Sequence, residues 1–202
     1  MPTPIYRNDA SLLNGNKQLA ATASGGVGMS LDMTYFQDAD GRSYYAWQQL
    51  GATYIATMDP KDPAHVTSSP VRIVTPEYAW NAAIAEGPNV TLRDGKLYLM
   101  FSGSGVGKTY TTGLAVADAS GTDLTDPASW TVLNYPIQKS GPFNGEMQLG
   151  TGHGMWSEDE DGNQIYVFHA YATKNLGSVN AAGRDMFVRR VHWPPTACRC
   201  ST

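Results

Sequence analysis

The chain has 202 residues, of which 14 are Lys or Arg and 18 are Asp or Glu, so its formal net charge is -4. This weakly acidic balance argues against nucleic-acid binding, which requires a basic face, and no stretch approaches the roughly 18 apolar residues of a membrane-spanning helix. The charged fraction is only 16%, whereas Gly (21), Tyr (11) and Trp (5) are plentiful, which favours a β protein with many tight turns.

The first part of the chain, residues 1–30, is rich in Asn, Gly, Ala and Ser, and we predict that it is irregular. Three similar segments follow, in which an Asp-Gly pair separates two β-type runs: residues 33–49, 89–104 and 154–172. Asp-Gly in this context predicts a hairpin with a type I′ turn, because both central residues of that turn need positive φ. The three predicted turns are Asp40-Gly41, Asp94-Gly95 and Asp161-Gly162.

Further short strands are predicted after each hairpin. One follows every hairpin, at residues 54–58, 113–118 and 186–191, and another follows the first two, at residues 71–75 and 130–134. Repeated units of about four antiparallel strands are typical of propeller blades. The best helix candidate, at 115–124, is interrupted by Gly121 and Asp residues, and 126–130 is at most one turn. We therefore predict an all-β fold with three blades of a β-propeller.

Three blades are too few for a closed propeller, because closure takes roughly 4–8 blades. We therefore predict that residues 31–193 form a partial propeller of three blades and that residues 194–202 form an irregular tail. The sequence is expected to be a fragment of a longer propeller.

Three ionisable residues head the first strands of the three predicted blades: Asp32, Glu86 and His153. Since the innermost strand of each blade lines the central channel, we expect these side chains to share one pocket. Each alone is also compatible with a turn or strand-capping role. A pair of carboxylates in one cleft is the equipment of glycoside hydrolysis, in which one acid donates a proton and another carboxylate acts across the sugar ring.

Longer motifs resemble glycoside hydrolase family 43, whose members are five-bladed β-propellers. "LDMTYFQDADGRSYYAWQ" is similar to the family's third-blade strand and "EGPNVTLRDGKLYLMFSGS" to its fourth-blade acid motif. "GTGHG" resembles the fifth-blade turn, with Thr151 where the family has Pro, and "GRDMFVRRVHW" resembles the closing strand. "YIATMDPKDP", "TPEYAWN" and "LTDPASW" look like the α-L-arabinofuranosidases of the family.

The resemblance implies a role for each matched residue. Glu86 corresponds to the general acid, and Asp32 to the residue that orients this acid and modulates its pKa. His153 corresponds to a residue that supports calcium in the central channel, expected to act through water because calcium prefers oxygen ligands. Arg184 corresponds to an arginine that contacts sugar hydroxyls.

The resemblance also implies the substrate. The expected activity is removal of terminal α-L-arabinofuranosyl residues from arabinan or arabinoxylan with inversion, so the expected partner is an arabinose-containing polysaccharide or oligosaccharide. Tyr78 and Trp80, in the loop before Glu86, are candidates for stacking on sugar rings, with packing as a near-equal alternative. A non-catalytic carbohydrate-binding propeller, and endo-arabinanase or β-xylosidase specificity on the same fold, remain open.

The sequence departs from the family at the catalytic base. The family places this Asp well upstream of the position of Asp32, whereas Asp9 is the one carboxylate before Asp32 and lies in "YRNDASLL", which does not look like a blade-opening strand. We therefore expect the base to be missing and the activity of the fragment to be lost or impaired. No signal peptide is visible in residues 1–28, and the location is undetermined, with extracellular favoured over cytoplasmic.

Overall fold

The computed structural model describes residues 30–82, 84–171 and 183–193. Within these ranges the chain forms thirteen β-strands and two single turns of 3-10 helix, Ala79–Asn81 and Pro127–Ser129, so the predicted all-β fold is confirmed. No helix in these ranges has the length and apolar character needed to cross a membrane. The predicted irregular segments lie outside the described residues, except for Ser30, with which the first strand begins.

The first blade is an antiparallel sheet of five strands. These are β1 Ser30–Gln37, β2 Ser43–Gln49, β3 Ala52–Asp59, β4 Asp62–Val66 and β5 Val71–Val74. β1, β2 and β3 pair in that order, and β4 and β5 both pair with β3. Every residue of β2 is buried, because one of its faces contributes to the core between blades and the other to a separate aromatic cluster.

The second and third blades are four-stranded antiparallel sheets. The second consists of β6 Ala85–Arg93, β7 Lys96–Gly103, β8 Thr111–Asp118 and β9 Thr131–Val132. The third consists of β10 Gly141–Phe143, β11 Glu146–Glu158, β12 Gln164–Tyr171 and β13 Asp185–Arg190. The predicted strands that follow the hairpins are confirmed as β3, β5, β8, β9 and β13, whereas the short strands β4 and β10 were not predicted.

The three Asp-Gly hairpins form as predicted, but one of them alone has the predicted turn. Asp94-Gly95 has positive φ at both residues (49° and 74°). In the other two hairpins the loop has five residues, and the carboxylate of its first residue, Asp38 or Asp159, accepts backbone N–H groups two and four residues further on. The type I′ prediction is therefore wrong at Asp40-Gly41 and Asp161-Gly162, because a leading Asp side chain organises a longer loop.

The blades pack face to face through apolar cores. The core between the first and second blades includes Phe36, Tyr44, Ile55, Leu99 and Phe101. A second cluster joins the second blade to the third through Met100, Tyr166 and Phe168. These contacts place the innermost strands side by side, so that β6 contacts β1 on one side and β11 on the other. The described chain is therefore three consecutive blades of a β-propeller, as predicted.

The two outermost faces of this stack are apolar and exposed. On the first blade, Met33 and Tyr35 are about half exposed, and on the third blade Met186 and Val188 are more than half exposed. The face of the first blade also has a cavity of about 240 Å³, lined mainly by apolar and aromatic residues that include Trp47. Faces of this kind are covered by the next blade elsewhere in the stack, which agrees with three blades of a larger, five-bladed propeller.

Candidate active site

Each innermost strand contains a β-bulge at the same place in its pairing with the second strand of the blade. The extra residue has positive φ in all three: Asp32 (59°), Gly87 (60°) and His153 (50°). Bulges of this kind redirect side chains, and here they turn Asp32 and His153 towards each other. Glu86 lies one residue before the bulge, opposite Ser102, so the predicted equivalence of Glu86 with Asp32 and His153 is wrong by one residue.

Asp32 connects the bulges of the first two blades. Its Oδ2 accepts a hydrogen bond of 3.1 Å from the backbone N–H of Gly87. Its Oδ1 lies 3.6 Å from Nε2 of His153. Because Gly87 directly follows Glu86, this carboxylate holds the backbone on which the predicted acid is carried. The geometry thereby gives the predicted orienting role of Asp32 a physical basis.

Glu86 is buried, with 9% of its surface exposed. The hydroxyl of Tyr110 donates a hydrogen bond of 2.6 Å to its Oε1. Tyr110 is fully buried, and this burial, together with the charge of Glu86, raises the pKa of the phenol far above its ordinary value. Tyr110 therefore keeps its proton and remains a donor at any pH of physiological interest. Sequence analysis missed this residue.

His153 lies between the two carboxylates. Its Nδ1 is 3.1 Å from the hydroxyl of Tyr110, and its backbone N–H donates to Oγ of Ser102 at 2.7 Å. A Cβ at Gly87 would lie only 3.3 Å from this ring, so a glycine at that position allows the close approach. The three predicted residues therefore converge. Asp32 faces His153, and Tyr110 connects His153 to Glu86.

The predicted calcium at His153 has no direct cage of ligands in the part of the chain that the structure describes. No three His, Cys, Asp or Glu side chains there gather in a geometry that could hold a metal ion. Both ring nitrogens of His153 face protein groups, at Asp32 and Tyr110, and calcium prefers oxygen ligands. These residues do not fit direct coordination, and a hydrated ion held through water stays a prediction.

His169, for which the sequence suggested no chemistry, lies beside this series. Its ring is nearly parallel to that of Tyr110, with centroids 5.6 Å apart, and to that of His153, at 6.3 Å. Burial, with the nearby charges of Arg184 and His153, lowers the pKa of His169 to about 4. The neutral ring accepts a hydrogen bond of 2.8 Å at Nε2 from Arg184.

Arg184 is thereby brought to the edge of the site through His169. Its Nη1 contacts Nε2 of the ring that stacks on Tyr110. No sequence pattern marks His169, because its place opposite the glycine that precedes His153 follows from the strand pairing. Contact of Arg184 with sugar hydroxyls stays a prediction.

Tyr78 and Trp80 stack on each other, with centroids 6.1 Å apart and an interplanar angle of 7°. Trp80 also stacks on Phe101 at 6.0 Å and packs against the core between the first two blades. Its Nε1 donates to the carbonyl of Asn134 at 3.0 Å. These contacts favour the packing alternative for Trp80, while sugar stacking by Tyr78 stays a prediction.

Replacing Trp80 with Ala is expected to lower the free energy of unfolding by about 3 kcal/mol, because the ring loses its contacts with the core. Trp80→Phe keeps an aromatic ring there and should cost less than half as much. Urea denaturation of the two variants measures this difference. Unchanged stability in Trp80→Ala, together with weaker binding of arabino-oligosaccharides, would instead support the sugar-stacking interpretation.

Comparison with known proteins agrees with this architecture. The sequence profile of glycosyl hydrolases family 43 matches residues 16–196. The chain is 33% identical over 159 residues to the extracellular exo-α-(1→5)-L-arabinofuranosidase of Streptomyces chartreusis. This match covers 73% of this chain and 46% of that protein. It is 31% identical over 177 residues to the protein of the same name from Streptomyces avermitilis, covering 81% of this chain and 36% of the relative.

The fold is likewise similar to a solved structure. The crystal structure of an α-L-arabinofuranosidase from Lactobacillus brevis superimposes with a TM-score of 0.73 at 27% identity, covering 84% of this chain and 54% of the other. The chain thus spans between about a third and about half of the length of these relatives. With the family profile matched over most of its residues and a relative above 30% identity over more than two thirds of it, the chain belongs to glycosyl hydrolases family 43.

Proposed function

We propose that this chain carries the acid half of a glycosidase that removes terminal α-L-arabinofuranosyl residues from arabinan or arabinoxylan with inversion. The observation that carries the proposal is the convergence of Glu86 and Asp32 at the innermost strands, where Asp32 binds the amide next to Glu86. The names of the two Streptomyces relatives support arabinofuranosyl groups as the substrate.

In this proposal Glu86 donates a proton to the glycosidic oxygen as the bond to the sugar breaks. Its Oε1 is held by Tyr110, which leaves Oε2 for the substrate. Asp32 fixes the backbone at Gly87 through Oδ2, and its Oδ1 lies 3.6 Å from Nε2 of His153, so we give this carboxylate the orienting role. Inversion needs another carboxylate to activate water on the opposite face of the ring, and we assign that step to a carboxylate other than Asp32.

The natural substrate is proposed to be an arabinose-containing polysaccharide or oligosaccharide, met outside the cell. The extracellular location is supported by the names of the two Streptomyces relatives. Arg184, which reaches the site beside His169, is proposed to hold hydroxyl groups of the terminal sugar.

Arabinose release from α-1,5-linked arabino-oligosaccharides by the purified chain tests this function. Proton NMR during the reaction identifies the anomer formed first, and inversion predicts β-L-arabinofuranose. Parallel assays with 4-nitrophenyl xylosides and linear arabinan distinguish β-xylosidase and endo-arabinanase specificity. Because the base is expected to be missing, impaired release agrees with the proposal, whereas release of the α anomer first, or of xylose alone, would contradict it. Binding of the oligosaccharide without any release would favour a non-catalytic carbohydrate-binding propeller.

A further inference from the structure

Tyr110 is a buried residue that the matched motifs leave without a role. It directly precedes β8, none of its surface is exposed, and its hydroxyl lies at the centre of the site. That hydroxyl donates to Oε1 of Glu86 at 2.6 Å and is 3.1 Å from Nδ1 of His153. A buried phenol needs a hydrogen-bond partner, and here its partners are the predicted acid and the neighbouring histidine.

We propose that Tyr110 is a positioning residue for Glu86: its hydroxyl fixes Oε1 of the carboxyl and so reserves Oε2 for the glycosidic oxygen. This inference rests on the proposed function, because it assigns Tyr110 a part in the same proton transfer. A Glu side chain has several rotamers, and a single bond to one carboxyl oxygen selects among them. After Glu86 gives up its proton, the same donor stabilises the carboxylate that remains.

The surroundings of Tyr110 hold the ring in one place. Its ring lies against Gly152, where a Cβ would come within 2.4 Å of the ring carbon Cδ1. Its ring also stacks on His169, with an interplanar angle of 12°. Gly152 and His169 are partners in the pairing of β11 with β12, so one cross-strand pair supplies both the space and the stacking surface. The hydroxyl is therefore presented to Glu86 by a rigid support.

Tyr166 offers a matched control. It is also a buried tyrosine, and its hydroxyl forms a hydrogen bond of 2.5 Å with Oγ1 of Thr112. Thr112 lies two residues after Tyr110 in the chain. Tyr110→Phe and Tyr166→Phe each remove one buried hydroxyl near the start of β8; the Tyr110 hydroxyl contacts Glu86 and His153, and the Tyr166 hydroxyl contacts Thr112. A purely structural role predicts similar behaviour of the two variants, whereas the positioning role predicts that catalysis changes in Tyr110→Phe alone.

The first test measures kinetics with α-1,5-linked arabino-oligosaccharides. Tyr110→Phe is expected to lower kcat by about 10- to 100-fold, the loss that follows from removing one hydrogen bond to a charged group, and to leave KM within about twofold. Tyr166→Phe should leave both constants close to those of the unchanged chain. Equal kcat values for the two variants would overturn the inference.

A second test does not depend on turnover. Crystal structures of both variants, without substrate, should show Glu86 in more than one rotamer in Tyr110→Phe and in a single one in Tyr166→Phe. This comparison decides the positioning role without turnover, also if the chain, whose base is expected to be missing, releases no arabinose. A single, unmoved Glu86 in Tyr110→Phe would contradict it. If Tyr110→Phe does not fold, 3-fluorotyrosine at position 110 keeps the hydroxyl as a stronger donor, so it should change kcat and leave KM within about twofold, and an unchanged kcat would contradict the inference.

Discussion

Replacing Glu86 with Gln is expected to lower kcat for α-1,5-linked arabino-oligosaccharides by about 10²–10⁴-fold, the usual contribution of a general acid or base. Gln has nearly the same shape and can still accept the hydrogen bond that the Tyr110 hydroxyl donates to position 86, so the fold should be preserved. The amide has no proton to give to the leaving oxygen. Steady-state assays of arabinose release, with thermal unfolding as a check on folding, measure the effect.

The leaving group and a second glutamate provide controls for this variant. The 4-nitrophenolate of a 4-nitrophenyl arabinofuranoside is a good leaving group that needs no proton. Glu86→Gln should therefore lose far less activity on this substrate than on the oligosaccharide. Glu77 is exposed and lies on the loop that leads towards β6, and Glu77→Gln should retain activity on both substrates. Equal losses on the two substrates would show that Glu86 acts in some way other than proton donation.

Substitutions of Asp32 are expected to separate the effect of its strained backbone on stability from the effect of its carboxylate. Asp32 has a φ of 59°, a conformation that Asp, Asn and Gly tolerate but that costs Ala about 1–2 kcal/mol. The hydrogen bond to the N–H of Gly87 is lost in Asp32→Ala and in Asp32→Gly, and Ala also pays for the positive φ. The free energy of unfolding should therefore fall by about 2 kcal/mol in Asp32→Ala, by about 1 kcal/mol in Asp32→Gly, and by less than either in Asp32→Asn. Urea denaturation of the three variants measures this order.

Activity should not distinguish Asp32→Ala from Asp32→Gly, although the stabilities of these two variants should differ. Asp32→Ala and Asp32→Gly both remove the acceptor that holds the amide of Gly87, and a displacement of the neighbouring acid by about 1 Å can cost about 10²-fold in rate. Asp32→Asn keeps an acceptor oxygen and should retain more activity than either. If activity instead tracked stability across the three variants, Asp32 would have a structural role and no orienting one.

Much of the fold was predictable because the local patterns are strong. Asp-Gly pairs between β-type runs marked all three hairpins, and the repeat of these units indicated blades. The turn geometry was less predictable, because the leading carboxylates of Asp38 and Asp159 extend two of the loops. The same kind of pair, Asn144-Gly145, forms the turn between β10 and β11, with positive φ at both residues, and was overlooked although its pattern is equally strong.

The site was predicted in outline and missed in detail. Spacing along the chain brought Asp32, Glu86 and His153 to the heads of the innermost strands, but a bulge changes the register by one residue and has no clear sequence pattern. Tyr110 and His169 reach the site through packing between different strands, at Gly152. Such contacts depend on the relative placement of blades, which a single sequence does not contain.

The crystal structure of Glu86→Gln in complex with α-1,5-linked arabinotriose tests the central claim most directly. The account predicts the terminal sugar at the innermost strands, with the scissile glycosidic oxygen within about 3 Å of one terminal atom of the side chain at position 86 and the Tyr110 hydroxyl on the other. A sugar bound elsewhere, for example in the aromatic cavity beside Trp47, with no sugar oxygen in reach of position 86, would contradict it.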